Sequence, residues 1–237
     1  MAVPETHDGV PAAGRWFDRS SGAAALAFAA AYVVIIALYV PLGAAPSDPL
    51  ARLEYHGAHL GAWWAILTLS VLTDLLLIPV TVSVYARLAG SHRRTMTVAV
   101  AFVALFVVLD LAVTWTNYAA VLTLSDAYAT ADAAQRAAVV AAARYPASLL
   151  GSTLLFVYNS LTLSVGILIT GLVMRRSGFR RTTGYLGIAT GAVGVIAVAG
   201  SLLLPAIGSA IVLASLLTLL WVAFVGVDLL RPAPATG

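Results

Sequence analysis

Two aspartates interrupt long apolar segments of the sequence and are its clearest candidates for chemistry. Asp74 lies in SVLTDLLLIPV, within the apolar residues 60–88, and Asp110 lies in FVVLDLAVTW, within residues 95–124. A charged aspartate at the centre of a bilayer costs about 2.5–3.5 kcal/mol on insertion scales, so such residues usually face a protein interior and serve a function. Asp74 and Asp110 are therefore candidate catalytic or ligand-binding groups.

The two aspartates are predicted to lie at similar depth. A short connection that holds Arg93 and Arg94 joins their segments, which makes the two helices antiparallel neighbours. Asp74 is 13 residues from Arg87, and Asp110 is 16 residues from Arg94. These separations correspond to about 20 and 24 Å at 1.5 Å per residue. Because two charges would repel each other near the midplane, we expect at least one carboxyl to be protonated or the pair to share a proton.

Polar side chains accompany both aspartates at helical spacing. Offsets of three, four and seven residues keep side chains on one side of a helix, and they occur around Asp74, Asp110 and a third polar residue, Asn159. Aromatic residues adjoin these stripes and suit a pocket wall. The sequence therefore predicts an intramembrane polar pocket for a lipophilic or small amphipathic ligand. Its predicted ligand-binding residues are Ser70, Asp74, Thr81, Asp110, Thr114, Asn117, Tyr118, Tyr158, Asn159 and Thr162.

Structural explanations compete with this pocket. Pro79 frees the carbonyl of Leu75, next to Asp74, which predicts a kink that hydroxyl groups satisfy or that opens a cavity. Polar side chains also join membrane helices, at about 0.6 kcal/mol per hydrogen bond on average. Asparagine would serve that purpose without an ionisable group, which favours a functional role for the aspartates.

The composition is typical of a polytopic membrane protein. Of the 237 residues, 61% are hydrophobic and 10% are charged, whereas soluble domains carry about 25% charged residues. The chain has no cysteine, which excludes disulfides and thiolate chemistry, and no lysine, which excludes Schiff bases. All 13 basic residues are arginines. They cluster near segment ends, so membrane lipids rather than nucleic acid are the expected partners.

Six apolar segments are long enough to cross a bilayer as helices, since about 20 residues suffice. The predicted fold is all-α: a polytopic membrane bundle of six transmembrane helices, with one short outer amphipathic helix between the third and the fourth. A flexible cytoplasmic tail of residues 1–23 and a short cytoplasmic tail of residues 232–237 are expected to flank a single domain of residues 24–231. The six segments span residues 24–44, 60–88, 95–124, 147–174, 182–204 and 208–230.

The arginines predict the orientation of these helices. With the N-terminus inside, ten arginines fall on inner segments and three, Arg52, Arg136 and Arg144, fall on outer ones. Because cytoplasmic loops are enriched in arginine, we expect both termini in the cytoplasm and a multi-pass protein of the cell (plasma) membrane. The motif RRSGFRR, residues 175–181, is expected to contact anionic lipid headgroups.

The connection of residues 125–146 carries helix signals. Alanine dominates it, Asp132 stands near its start, and Pro146 is expected to end the helix. This outer helix would serve as a connector or as a lid over an outward-facing cavity.

Glycines predict close helix packing in the fifth segment. Gly184, Gly187, Gly191 and Gly194 share one helix face, which we interpret as packing against a neighbour within the bundle, with homo-oligomer formation as the alternative. The connection that follows, which contains Pro205 and Gly208, predicts a tight turn between the last two helices.

The remaining motifs give little support for metal or nucleotide chemistry. The stretch EYHGAH supplies Glu54, His56 and His59, but the chain holds only 4 histidines, and we interpret these two as surface residues. The sequence contains no phosphate-binding glycine loop, nucleophile elbow or zinc-protease motif. We therefore predict no metal and no cofactor.

Three stretches of the chain resemble one known family. LTDLLLIPVTVSVYARL, FVVLDLAVTWTNYAAVLTLSDAY and GLVMRRSGFRRTTGYLGIATG are similar to segments of a family of small bacterial and archaeal membrane proteins. That family is uncharacterised and is classed as a domain of unknown function. The resemblance covers the second to sixth helices and implies a six-helix membrane protein, but it assigns no activity and no catalytic residue.

Other functions stay open beside ligand binding. An intramembrane enzyme could use a protonated aspartate as general acid on an isoprenoid-like substrate, although no aspartate-rich motif for diphosphate and magnesium occurs. A proton-coupled transporter would use the carboxylates as a relay, but six helices without an internal repeat would favour an oligomer. A structural membrane subunit would use the aspartates as assembly contacts.

Overall fold

A computed structural model of the chain describes residues 12–177, 179–203 and 210–231. Within these ranges every regular element is a helix, and six helices are long and apolar enough to cross a membrane. The protein is therefore an integral, multi-pass membrane protein, and the predicted all-α helix bundle is confirmed. The helices are α1 (Ala12–Leu42), α2 (Pro49–Ala58), α3 (Leu60–Gly90), α4 (His92–Thr130), α5 (Ala133–Leu150), α6 (Thr153–Met174), α7 (Arg181–Leu203) and α8 (Ala210–Leu230).

A single backbone break separates α3 from α4. Helical hydrogen bonding continues from Leu60 to Leu109, but His92 has φ −136° and ψ 38°, outside the helical region. The two helices fold back on each other about this point, as the hydrogen bond from Trp115 of α4 to Asp74 of α3 shows. The hairpin predicted from the short connection is therefore present, with one non-helical residue where a loop was expected.

The hairpin of α3 and α4 forms the centre of the bundle. It packs against α1 on one side and α6 on the other, and α8 packs against both α1 and α7. The helices α6 and α7 form an extensive contact with each other. The main apolar core lies where α1, α3, α4, α6 and α8 meet, and it includes Phe28, Val80, Val103, Ile167 and Val222.

Glycines bring α6 and α7 into backbone contact. A Cβ atom added to Gly191 would lie 2.6 Å from the Cα of Leu168, and one added to Gly171 would lie 2.6 Å from the amide nitrogen of Ile188. No side chain fits at either position, so the helices approach as closely as small residues allow in lipid. The prediction that the glycine face of α7 packs on a neighbouring helix is confirmed.

The helices α1 and α8 cross in the same way, at their Gly22 and Gly226. A Cβ added to Gly22 would lie 2.9 Å from the carbonyl oxygen of Gly226, and one added to Gly226 would lie 3.0 Å from the carbonyl oxygen of Gly22. The first and last helices of the bundle are therefore direct neighbours.

Arg87 ties this crossing to α3. Its Nε donates to the Oδ2 of Asp18 at 2.8 Å, and its terminal nitrogens donate to the carbonyl oxygens of Asp228 at 3.0 Å and Leu229 at 2.8 Å. The last carbonyls of a helix have no donor within the helix, so Arg87 satisfies the end of α8. The Asp228 carboxylate in turn accepts a bond of 2.6 Å from the hydroxyl of Thr183 on α7.

Several predicted boundaries are wrong. Residues 12–23 are helical rather than part of a flexible tail, because the pair of Asp18 and Arg87 anchors this stretch to α3. The predicted helix between the third and the fourth spanning helix, α5, is present, and it begins with a capping box of Asp132 and Gln135. It continues through Pro146 to Leu150, and the carbonyl of Ala142 that the proline leaves without its bond belongs to an exposed residue.

The short helix α2 was not predicted from the sequence. The helix α2 follows Asp48, whose carboxylate accepts a 2.9 Å bond from the amide of Ala51, and Pro49 occupies its first turn. Three predictions fall outside the described residues: the first part of the N-terminal tail, the C-terminal tail, and the turn at Pro205 and Gly208.

Candidate functional site

Asp74 and Asp110 lie together inside the bundle. Asp74 on α3 is 5% exposed and Asp110 on α4 is 8% exposed. The two carboxyl groups are close enough to interact electrostatically. The structure therefore places the two acids as neighbours from antiparallel helices, away from the lipid-facing surface.

A turn of π-helix in α4, Asp110–Trp115, shapes the site. A π turn holds one residue more than an α turn, which changes the register of the side chains around it and often marks a functional site. Here it allows Trp115, five residues after Asp110, to reach both acids. The indole nitrogen of Trp115 donates to the Oδ2 of Asp74 at 2.8 Å and also interacts with the carboxyl of Asp110.

Asn159 of α6 completes the group. Its Nδ2 donates to the Oδ1 of Asp110 at 2.7 Å and to the hydroxyl oxygen of Thr114 at 2.7 Å. Its Oδ1 is fully buried and has no hydrogen-bond partner among the described residues. A buried oxygen without a donor is energetically unfavourable, so this atom is an acceptor that a hydrogen-bond donor of a ligand could satisfy. We call Asp74, Asp110, Thr114, Trp115 and Asn159 the aspartate cluster.

A tyrosine from α1 also approaches the cluster. The hydroxyl of Tyr32 lies within electrostatic range of Asp74 and Asp110 and interacts with the hydroxyl of Ser215 on α8. Side chains of α1, α4 and α6 therefore lie near the two acids, and Ser215 of α8 contacts Tyr32. Tyr32 was missed from the sequence, because no polar stripe accompanies it on α1.

The aspartate cluster has more acceptors than donors. The side chains that interact with the two carboxyl groups are Trp115, Asn159 and Thr114, and neither acid is paired with an arginine among the described residues. Within the cluster, the amide oxygen of Asn159 is the buried acceptor that has no donor among the described residues. The arrangement can therefore bind a group that donates hydrogen bonds, or it can hold and exchange a proton.

The other predicted ligand-binding residues lie around the cluster or apart from it. Ser70 and Thr162 are buried, and the hydroxyl of Thr162 donates to backbone carbonyls of α6. Asn117 donates to the carbonyl of Val113 on its own helix. Tyr158 is 48% exposed and faces away from the bundle interior.

Pro79 does not interrupt α3. The helix continues through it, and the hydroxyl of Thr81 donates to the carbonyl of Leu77 at 2.8 Å rather than to the carbonyl of Leu75 that the proline frees. Thr81 lies two turns from Asp74 along α3, and it lines a small cavity within the apolar core.

Aromatic rings lead from the cluster toward α2. The ring centroids of Trp115 and Tyr118 are 5.6 Å apart, and Tyr118 stacks on Trp63 at 5.5 Å. The ring of Trp63 lies 4.7 Å from His56 and 6.1 Å from Tyr55. We call these five residues the aromatic stack. Tyr118, predicted as a ligand contact, thus belongs to a wall between the cluster and this end of the bundle.

The interpretation of His56 as a surface residue is wrong. His56 is 0% exposed, its Nδ1 hydrogen-bonds to the carbonyl of Arg52 at 2.7 Å, and its Nε2 has no partner among the described residues. Arg52 holds α2 in place, because it donates to the carbonyls of Pro46 and Ala147. His59 is exposed, as predicted. The part of the chain that the structure describes contains no group of three metal-ligating side chains.

Acid is expected to loosen the packing of α2 through His56. Burial lowers the pKa of His56 below its usual 6.5, and the neighbouring Arg52 and His59 lower it further. The unfolded chain then binds the proton more tightly, so the free energy of unfolding falls as the pH drops through about 6.5 toward the folded-state pKa. A His56→Gln variant should lose most of this dependence in thermal unfolding measured in detergent from pH 7.5 to pH 5.

The matched control for this prediction is His59→Gln, which changes an exposed histidine three residues away. It should keep the pH dependence of the unmodified protein. Equal pH dependence in the unmodified protein and in His56→Gln would contradict the assignment to His56.

The chain matches none of the protein-family models, curated proteins or solved structures with which it was compared. The class of protein therefore rests on its own six apolar helices. Membership of the uncharacterised family stays a prediction from the three stretches that resemble it.

Proposed function

We propose that the protein binds a lipophilic or small amphipathic ligand at the aspartate cluster. This proposal rests on the burial of the two carboxyl groups of Asp74 and Asp110, which interact with each other. Trp115 donates a hydrogen bond to Asp74, and Asn159 donates one to Asp110. Both acids sit in helices that cross the membrane, so a ligand that reaches them must enter a largely apolar bundle. Such a ligand needs apolar surface together with a polar group.

The cost of the cluster supports a functional role. A bundle held by apolar residues and glycines needs no buried acid, and asparagine would join the helices equally well. Instead, two aspartates lie beside a π turn, and the Oδ1 of Asn159 has no donor. Polar groups that are buried and incompletely satisfied are expected where a ligand completes them.

The proposal is tested by the small molecules that co-purify with the protein. Organic extracts of the purified protein and of an Asp74→Asn/Asp110→Asn variant would be compared by mass spectrometry. We expect an amphiphile at about one copy per chain in the unmodified protein and at least about ten-fold less in the variant, since one lost charged contact corresponds to about that factor.

Asp126→Asn supplies the control, because Asp126 is an exposed acid on the same helix. It should retain the amphiphile. Identical extracts from all three proteins, each with an unchanged unfolding temperature, would contradict ligand binding at the cluster and would favour a purely structural role.

A second candidate is proton-coupled transport, which the electrostatic contact between the two buried acids favours. Such a protein takes up or releases protons when its substrate binds. Proton release on addition of the co-purifying amphiphile, measured in weakly buffered detergent solution, would support coupling if Asp74→Asn abolishes it. Binding without any proton exchange would contradict it.

A further inference from the structure

A second site lies at the arginine-rich end of the bundle, away from the aspartate cluster. The beginning of α4 and the end of α6 enclose a cavity of about 220 Å³ there. The membrane-spanning segment of α4 begins at this level, and that of α6 ends there. We call it the arginine cavity, and its lining residues are His92, Thr95, Leu172, Val173, Arg175 and Arg176.

The polar part of the arginine cavity attracts anions. Arg175 and Arg176 are exposed, and neither forms an ion pair among the described residues. Asp228, a described acid at this end of the bundle, is bound by Thr183 and Arg180. His92 and Thr95 add an N–H and an O–H donor on the opposite side, so donors from two helices surround the space.

Contacts with α7 hold Arg175 in position. Its guanidinium carbon lies 5.8 Å from the ring centroid of Tyr185, within the range of a cation–π contact. A Cβ added to Gly184 would lie 2.8 Å from the amide nitrogen of Arg175, so α7 packs directly on the end of α6. The cation is therefore positioned by its neighbours rather than free to move over the surface.

The remaining lining is apolar. Leu172 is 46% exposed on the outside of a membrane-spanning helix, and Val173 is buried behind it. A soluble anion would leave this apolar surface unused, whereas a molecule with an anionic head and hydrocarbon chains would cover both parts. The position at the end of the spans is also where lipid headgroups lie.

We propose that the arginine cavity binds one anionic phospholipid. Its phosphate lies between Arg175, Arg176 and the donors of His92 and Thr95, and its acyl chains extend along Leu172. Arginine suits this role because its planar guanidinium binds phosphate oxygens in pairs. The proposal is independent of the aspartate cluster, since the two sites share no residue.

Native mass spectrometry of delipidated protein in uncharged detergent tests this proposal. We expect one molecule of phosphatidylglycerol to bind per chain, and phosphatidylcholine to bind more weakly. Arg175→Gln and Arg176→Gln should each weaken phosphatidylglycerol binding about five-fold, the factor that corresponds to about 1 kcal/mol per arginine. Arg176→Lys keeps the charge and should recover part of the affinity.

Arg94→Gln is the matched control. It removes one exposed positive charge at the same end of the bundle, but Arg94 does not line the cavity. Equal loss of binding in all three glutamine variants would overturn the proposal in favour of a general surface charge. Binding of phosphatidylcholine as tight as that of phosphatidylglycerol would overturn it, and so would equally tight binding of sn-glycerol 3-phosphate, which carries no acyl chain.

Discussion

A Gly191→Val variant is expected to lose about 2–3 kcal/mol of unfolding free energy. Its new Cβ would lie 2.6 Å from both the Cα and the Cβ of Leu168, so α6 and α7 would have to separate along their extensive contact. Overpacking of a well-packed core costs about 1–3 kcal/mol, and here the obstacle is a helix backbone that cannot move alone. Thermal and denaturant unfolding in detergent would measure the loss.

Gly61→Val is the control for this prediction. Gly61 is also helical, on α3, and a Cβ there would meet nothing within 4 Å. Because both variants introduce the same β-branched residue into a helix, the difference between them isolates the packing term. Equal stability of the two variants would show that α6 and α7 do not approach as closely as described.

An Asn159→Leu variant is expected to be less stable than an Asp110→Leu/Asn159→Leu double variant. The single change removes the amide that donates to Asp110 and leaves a buried carboxyl without that donor. Such an unsatisfied group costs about 1–3 kcal/mol, whereas replacing both partners by apolar side chains of similar shape is nearly neutral. Unfolding free energies of the two single variants and the double variant give the coupling between these side chains, which we expect to be about 1 kcal/mol.

Asn117→Leu controls for the change of side chain. Among the described residues Asn117 donates to the backbone of its own helix, so its replacement should alter the stability by less than about 0.5 kcal/mol. If the double variant were as unstable as the sum of the two single variants, the bond between Asn159 and Asp110 would contribute nothing. The double variant should also lose the co-purifying amphiphile, which separates stability from binding.

The sequence predicts the parts of the fold that depend on local hydropathy and on the number of residues between two positions. Long apolar runs define the six spanning helices, and the short connection at Arg93 and Arg94 makes α3 and α4 antiparallel. Once that hairpin is known, counting residues from it brings Asp74 and Asp110 to similar depth. Asn159 followed from its own polar stripe.

The details of the aspartate cluster could not be predicted in this way. Helical spacing of 3.6 residues groups Asn117 with Asp110, but the π turn adds a residue and brings Trp115 to the acids instead. The stretch DLAVTW has no composition that would indicate a π turn, because the turn depends on packing against other helices. Tyr32 likewise reaches the cluster only through the way α1 packs in the bundle.

The helix α2 was missed for a different reason. Its start signals, Asp48 and Pro49, stand in the sequence, but a search for long apolar segments passes over a helix of 10 residues. The burial of His56 depends on this helix, since α2 and the rings of Trp63 and Tyr118 enclose it. A histidine in a polar connection is usually exposed, and only the tertiary structure shows otherwise.

The crossing of α1 and α8 has a consequence for biosynthesis. Helices leave the ribosome in chain order, so α1 is synthesised well before its partner α8. Until α8 is in place, Gly22 lacks its contact with Gly226, and Arg87 has no carbonyl of Asp228 to bind. This contact therefore forms only after α8 has been synthesised, and a chain that stops before α8 would leave the α8-facing side of α1 uncovered.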